Sequence, residues 1–375
     1  MHCDAYDEGR CRSCSLLPLS IKLQLAGKLN QARDLLDPEG QAQWLETVSG
    51  PEAGFRNKAK MVVAGTVEAP VLGILDTSGH GVDLTDCPLY PKTIQDCFPD
   101  LIDFIKLARL EPYDVPNRRG ELKYLLLTVA EQSGELMLRL VLRSTEALAR
   151  IRKHLPDLLT ALPGLRVVSV NIQPRHMAVI EGEREIILSP DETLPMQVND
   201  IRLHLRPGSF FQTNTVVAAA LYRQARDWVS ELNPASLWDL YCGVGGFALH
   251  CADGQRQVIG IERSHEAILS ARRSRAERGL DRVEFATGDA ADFVRTAQVT
   301  PALVIVNPPR RGLGEALSCD LNRHGPAHIL YSSCNATTLA RDLAWLDRYV
   351  LRKARLFDMF PHTAHYEVCV LLERL

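Results

Sequence analysis

Residues 237–246 read Leu237-Trp238-Asp239-Leu240-Tyr241-Cys242-Gly243-Val244-Gly245-Gly246, and Val258-Ile259-Gly260-Ile261-Glu262 follows soon after. The first stretch is an apolar run that breaks into glycines. The second is an apolar run that ends in a carboxylate. This is the order of a nucleotide-binding half-fold: a strand, a tight glycine turn opening a helix, and a second strand whose terminal acid accepts hydrogen bonds from ribose hydroxyls. Dinucleotide sites use Gly-x-Gly-x-x-Gly to approach a pyrophosphate, and Gly243-Val244-Gly245-Gly246 lacks the third spaced glycine. The turn therefore favours a nucleoside cofactor without phosphate, S-adenosyl-L-methionine, over NAD.

Outward from this turn, strands are predicted at Leu237–Tyr241, Val258–Glu262, Val283–Ala286, Leu303–Asn307, Ile329–Ser332 and Tyr366–Leu372. Helical patterns at Val217–Leu232, Glu266–Arg278 and Thr337–Leu346 fall between or beside them. Such alternation predicts an α/β, Rossmann-like parallel sheet covered by helices over residues 201–375. Upstream, Ala59–Ala64, Leu122–Val129, Leu136–Leu142 and Val167–Gln173 read as strands, interrupted by helical stretches at Thr93–Ala108 and Thr145–Leu159. Residues 1–200 are thus expected to form an α+β domain. Its first forty residues hold Cys3, Cys11 and Cys14 and, apart from a helix at Ile21–Leu36, little periodicity, as in a lobe ordered by a ligand. Two domains suit 375 residues at roughly 100–200 per domain.

Composition narrows the classes. With 46% hydrophobic and 24% charged residues the chain is neither disordered nor collagen-like, and it has no apolar run near the ~18 residues of a membrane span. Net charge is only -3, so any nucleic-acid binding must come from local basic patches. Ten cysteines follow a polar, acidic start, Met1-His2-Cys3-Asp4, that lacks the pattern of a secretory signal. A reducing, cytoplasmic compartment is expected, where clustered thiols serve metals or catalysis rather than disulfides.

Two further strand ends carry chemistry. Leu303–Val306 runs into Asn307-Pro308-Pro309-Arg310-Arg311-Gly312, where two prolines stiffen the turn and aim the preceding side chain toward the carboxyl edge, the ligand edge of open α/β sheets. Arg310 stands where an enzyme methylating an exocyclic amine would carry a stacking ring. Ile329–Ser332 runs into Ser333-Cys334-Asn335. An exocyclic amine needs no covalent help to take a methyl group, but C5 of uracil is a poor nucleophile, and a thiolate adding to C6 makes it reactive. A cysteine at a strand end is commonly a small buried hydrophobe; beside the cofactor turn, Cys334 reads as that nucleophile. The adduct must then lose a proton from C5, which requires a base. Phe360-Pro361-His362-Thr363-Ala364-His365-Tyr366-Glu367 leads into the last strand, and period-two alternation puts His365 and Glu367 on one face. Glu367 is the expected base. His362 and His365 have no third and fourth ligand near them in sequence, so zinc is not expected there.

Cys3, Cys11 and Cys14 form Cys-x7-Cys-x2-Cys, joined much later by Cys87. By count alone four thiolates suit a [4Fe–4S] cluster or a zinc ion equally. Cys97, Cys251, Cys319 and Cys369 read as packing residues. Arg56, Lys58 and Lys60 alternate along one extended segment, and Arg118, Arg119 and Lys123 form a second basic cluster; both are candidate phosphate contacts for single-stranded or looped RNA.

Cys242-Gly243-Val244-Gly245-Gly246, Asn307-Pro308-Pro309-Arg310, Tyr331-Ser332-Ser333-Cys334-Asn335 and Phe357-Asp358-Met359-Phe360-Pro361-His362-Thr363 together resemble the RNA uracil-C5 methyltransferase family, over essentially the whole chain. The segment Cys3 to Cys14, the block Gly54-Phe55-Arg56-Asn57-Lys58-Ala59-Lys60 and Cys87-Pro88-Leu89 resemble the branch of that family acting on uracil 747 of 23S ribosomal RNA. The resemblance implies a class I S-adenosyl-L-methionine-dependent methyltransferase domain at 201–375 and an iron–sulfur lobe within the α+β domain. It implies Cys334 as nucleophile, Glu367 as base, and cofactor contacts from Gln212, Tyr241, Gly243, Glu262 and Asn307. Many members carry Asp at the position of Asn307, which implies hydrogen bonding rather than acid–base work for that residue. The resemblance favours a [4Fe–4S] cluster on Cys3, Cys11, Cys14 and Cys87, in a structural or RNA-docking role. The expected substrate is 23S rRNA, its target uracil flipped out of the stack into the cleft between domains. The alternatives are the same chemistry on transfer RNA and a non-catalytic iron–sulfur RNA-binding factor.

Overall fold

The structure, a computed structural model, describes every residue except 177 and 178. From the amino end the chain forms α1 (Asp4–Asp7), α2 (Ile21–Leu36), β1 (Gln43–Trp44), β2 (Lys58–Gly65), β3 (Pro70–Leu75) and β4 (Gly81–Asp83). There follow α3 (Lys92–Gln95), α4 (Phe98–Leu107), β5 (Leu122–Ala130), β6 (Glu135–Leu142), α5 (Leu148–Ala161), β7 (Leu165–Ile172) and β8 (Arg184–Ile187). A ribbon of β9 (Leu194–Val198) and β10 (Ile201–Leu205) precedes α6 (Thr215–Leu232), β11 (Ser236–Leu240), α7 (Gly246–Cys251), β12 (Gln257–Glu262) and α8 (His265–Arg278). The rest comprises β13 (Val283–Thr287), α9 (Ala290–Thr296), β14 (Leu303–Val306), α10 (Glu315–His324), β15 (His328–Ser333), α11 (Ala336–Trp345), β16 (Tyr349–Phe357) and β17 (Glu367–Arg374). Among the described residues no helix is long and apolar enough to cross a membrane.

The chain divides into two compact units, residues 1–14 with 51–196, and residues 15–50 with 197–375. The first contains a seven-stranded sheet in the order β4-β3-β2-β5-β6-β7-β8. Only β6 and β7 run parallel in it, joined by the crossover helix α5. Fully buried leucines from β5 and β6, together with Phe98, Leu101 and Ile105 of α4 and Ile151 and Leu158 of α5, make its core. Burial of each such side chain contributes about 1.5–3 kcal/mol.

The second unit holds an eight-stranded sheet in the order β1-β16-β17-β15-β14-β11-β12-β13. Its β11–β15 strands are parallel, as strand–helix alternation predicts, and β17 inserts antiparallel between β15 and β16. Caps fix where its helices begin: Asn214 accepts from the Val217 N–H, Ser264 from Ala267, and Asn335 from Thr337 and Thr338. The expectation that residues 1–200 form one domain is corrected here, because Ser15–Gly50 belongs to the second unit. Two couplings explain it. Ala32 and Leu36 of α2 bury in the second core beside Leu339 of α11, and β1 pairs in parallel with Lys353 and Ala354.

Candidate active site

The strand β11 ends at Leu240, and Tyr241 takes a left-handed backbone (φ 65°) that a bulky residue adopts only under constraint. The chain then turns through Gly243 and Gly245 into α7. At Gly246 a Cβ would come within 2.5 Å of the Tyr222 ring, so only glycine lets the turn lie this close to α6. Glu262, at the end of β12, reaches back: its Oε2 accepts from the Gly243 N–H at 3.3 Å and its Oε1 from the Ser264 N–H at 2.9 Å. The acid therefore ties the glycine turn to the start of α8 and keeps lone pairs for further donors.

A cavity of about 650 Å³ opens at these strand ends. It is lined by Gln212, Tyr241, Gly243, Glu262 and Asn307, the five expected cofactor residues, and also by Cys334 and Glu367. The volume lies within the range of small-molecule sites. The glycine cradle and a carboxylate able to take ribose hydroxyls suit a nucleoside-bearing cofactor. Phe210, 72% exposed, adds an aromatic face to the lining.

Cys334 and Glu367 approach along the sheet. β15 and β17 pair Ser332 with Cys369 and Ser333 with Val368, so the next step of the register sets Cys334 against Glu367. Glu367 is fully buried, and burial pushes its carboxyl up to about 7, while the Ser332 hydroxyl, donating to Oε1, opposes the rise. A carboxyl held there suits a base near neutral pH. Burial, followed by the charge of Glu367, raises the Cys334 thiol, and Arg310 beside it lowers it. The alternation that predicts His365 and Glu367 on one face does not hold: β17 begins only at Glu367, and His365 stays exposed in the preceding loop.

That loop is fastened from α2. Lys28 Nζ donates to Asp358 Oδ1 at 2.6 Å and to the Phe360 carbonyl at 3.1 Å, both partners of the ion pair being essentially buried. Gln24 Oε1 accepts from the His362 N–H at 2.9 Å, and its amide lies 3.3 Å from His362 Nδ1. His362 itself has φ 65°. These contacts set the path between β16 and Glu367, and sequence reading missed them because some 330 residues separate the partners. It also missed Asp239, a buried carboxyl on β11 that accepts from the Ala248 N–H at 2.8 Å through one oxygen while the other has no partner. Burial pushes it up to about 7. An acidic residue inside an apolar strand was the available signal.

In the first unit, Cys3, Cys11, Cys14 and Cys87 line one cavity of about 260 Å³, with Arg56 and Lys60 beside them. Burial, followed by the charges of Cys11 and Cys3, raises the Cys14 thiol to about 11; burial, with smaller contributions from the other three cysteines, takes Cys87 to about 11. Among the described residues no three His, Cys, Asp or Glu side chains converge on a spacing for one metal ion. Lys123, read as part of an exposed basic cluster, is instead buried, donating to the Arg175 carbonyl at 2.7 Å and lying 4.6 Å over the Tyr113 ring.

A family model described as tRNA (Uracil-5-)-methyltransferase matches residues 169–375. The chain is 54% identical over 374 residues to the 23S rRNA (uracil(747)-C(5))-methyltransferase RlmC of Edwardsiella ictaluri, covering 100% of this chain and 99% of the relative. It is 51% identical to the protein of the same name from Escherichia coli O157:H7, covering 100% of both chains. Among solved structures, the Pyrococcus abyssi tRNA (uracil-54, C5)-methyltransferase in complex with S-adenosyl-L-homocysteine superposes with a TM-score of 0.79 at 28% identity, covering 96% of this chain and 85% of that one. Full-length identity at this level, with the family match over more than half of the residues, leads to one conclusion: the chain belongs to the tRNA (uracil-5-)-methyltransferase family.

Proposed function

We propose that this protein is a cytoplasmic enzyme that methylates C5 of one uracil in 23S rRNA, position 747, using S-adenosyl-L-methionine. The observation that carries the reading is a single cavity lined by a thiol, a buried carboxyl with a pKa near 7 and the glycine turn with its acid. Full-length relatives named for uracil 747 support the substrate over transfer RNA.

When bound, the cofactor supplies an electrophilic methyl group on a sulfonium. Gln212, Tyr241, Gly243, Glu262 and Asn307, which line the cavity, would hold it, with Glu262 able to accept from ribose hydroxyls. Asn307, which is no acid, orients by hydrogen bonding. The Cys334 thiolate adds to C6 of the flipped uracil, and the C5=C6 electron pair moves into an enolate stabilised toward O4. C5 would then take the methyl group as its bond to the sulfonium sulfur breaks, that bond's electron pair staying on sulfur as a neutral thioether, and would carry both methyl and hydrogen. Glu367 takes that proton, the electron pair re-forms C5=C6, and the Cys334 sulfur leaves. Arg310 beside Cys334 favours the thiolate.

In the same reading Cys3, Cys11, Cys14 and Cys87 hold a [4Fe–4S] cluster, which relieves thiolate repulsion and orders the lobe; no step of the reaction passes through it. Arg56 and Lys60 add positive charge at that cavity.

The test is methyl transfer from labelled S-adenosyl-L-methionine to unmethylated 23S rRNA and, separately, to transfer RNA, with the product base mapped. One labelled uracil in 23S rRNA, absent with Cys334→Ala, supports the reading. Label in transfer RNA alone moves the substrate assignment there, and binding without transfer to either leaves the non-catalytic factor.

A further inference from the structure

Cys334 lines two cavities. The second, of about 270 Å³, is bounded by Gln31 and Leu35 of α2 and by Thr337 and His365, and only Arg310 and Cys334 are common to it and the cofactor cavity. Within α2 the residues Gln24, Lys28, Gln31 and Leu35 follow at spacings of four, three and four, which is one face of a helix. The first two are buried and fasten the loop that precedes Glu367. The last two are exposed, Leu35 by 37%. One turn of α2 thus anchors the site and the next opens on a second cavity at the nucleophile.

The chemistry of the ring bears on where the chain must run. In uracil C6 lies between C5 and N1. The thiol adds to C6 and the methyl donor approaches C5 along the normal to the ring, whereas N1 carries its glycosidic bond out in the ring plane, one bond from the carbon that Cys334 holds. The ribose and the chain it belongs to therefore run close past the thiol, and the second cavity is lined by that same thiol and by Arg310.

Resting on the uracil-methylation reading, we propose that this cavity is a subsite for the ribonucleotide adjoining the target uridine in single-stranded RNA. Leu35 offers an apolar face to the base or sugar. Arg310 offers charge to the connecting phosphate, and Gln31, Thr337 and His365 offer hydrogen-bonding groups to hydroxyls and a base edge. The occupant is a nucleotide rather than a second cofactor because the cavity adjoins the nucleophile and mixes one cation with neutral polar groups and one exposed leucine.

The test uses the full-length protein and a short RNA that contains the target uridine in its natural context, with steady-state kinetics on Gln31→Ala/Leu35→Ala. Both side chains are exposed, and S-adenosyl-L-methionine affinity reports that the fold is intact. The subsite predicts a KM for RNA raised about tenfold with kcat within about twofold, the size of loss that follows from one hydrogen bond and one apolar contact. It also predicts that abasic nucleotides flanking the uridine raise the wild-type KM to the same level and leave the variant unchanged. A variant with wild-type KM, or a loss that persists in full on the abasic RNA, overturns the subsite while leaving the methylation reading standing. A wild type that methylates no uracil removes both.

Discussion

At the candidate site most of the expected groups sit at strand ends of an eight-stranded sheet: Tyr241 after β11, Glu262 on β12, Asn307 after β14, Cys334 after β15, Glu367 at the head of β17. The cysteine lobe has no such frame. Cys3 caps a four-residue helix whose one buried residue is Ala5, Cys11 and Cys14 bound the irregular segment that follows, and Cys87 arrives on the turn after β4. Sheet and core fix the first site before any ligand arrives, so its cost was met on folding. In the second site the thiols line one cavity with little core beneath them, and burial and one another's charge disfavour their ionised forms. Pre-organisation serves chemistry, where small displacements cost rate; the cysteine lobe has no comparable frame of sheet and core.

The comparison breaks first at Cys334. Cys334→Ala is expected to lower methyl transfer by ~10⁴-fold or more with cofactor affinity retained, as read by single-turnover assay and calorimetry. Retained transfer means the strand-end thiol does no chemistry. In the lobe, the proposed cluster predicts that the purified protein carries iron, that Cys87→Ser removes it almost wholly and lowers the Tm of the first unit by on the order of 10 °C, and that isothermal titration finds cofactor binding little changed. A parallel loss of cofactor binding means that the two sites are not independently organised.

Within the catalytic unit the frame itself is open to test. Lys28→Met leaves Asp358 buried without its cation, at a cost of about 3–5 kcal/mol in chemical denaturation. Adding Asp358→Asn is expected to recover part of it. The pH profile comes next. Glu367 must be ionised to take the C5 proton, and its pKa is raised to about 7, so the proton-removal step, read by single-turnover kinetics from the trapped adduct, should slow about tenfold per pH unit below that value and level off above it. A profile flat from pH 5 to 8 assigns the proton to another group. The smallest effect is at Gly246, where an alanine Cβ meets the Tyr222 ring. Gly246→Ala should cost about 1–3 kcal/mol in stability and weaken cofactor binding without moving the pH midpoint.

Much of the catalytic unit was legible because a strand followed by glycines, prolines or a cysteine marks the carboxyl edge of a parallel sheet, and ligands gather there. The strand β16 was not. Tyr349–Phe357 carries Arg352, Lys353 and Arg355, and its register against β17 shifts between Leu351 and Lys353, which resets the alternation that marks a strand. Missing β16 also hid that β17 returns antiparallel beside β15, the pairing that brings Glu367 level with Cys334. The role of α2 was equally hidden. Its periodicity gave the helix, but Gln24 and Lys28 find His362 and Asp358 only in three dimensions. In the lobe the cysteine spacing was readable, whereas the burial of Lys123 was not, since a lysine beside Tyr124 on an edge of a basic cluster reads as solvent-facing.

The pairing of Gln43–Trp44 with Lys353–Ala354 has a consequence for synthesis. Some 310 residues separate the partners, and at the usual pace of translation roughly 15–60 s elapse between them. All of residues 51–196 emerge in that interval. The ribosome therefore releases the smaller unit with time to fold, while the first strand of the larger one waits unpaired, a client for chaperones until its neighbour is made.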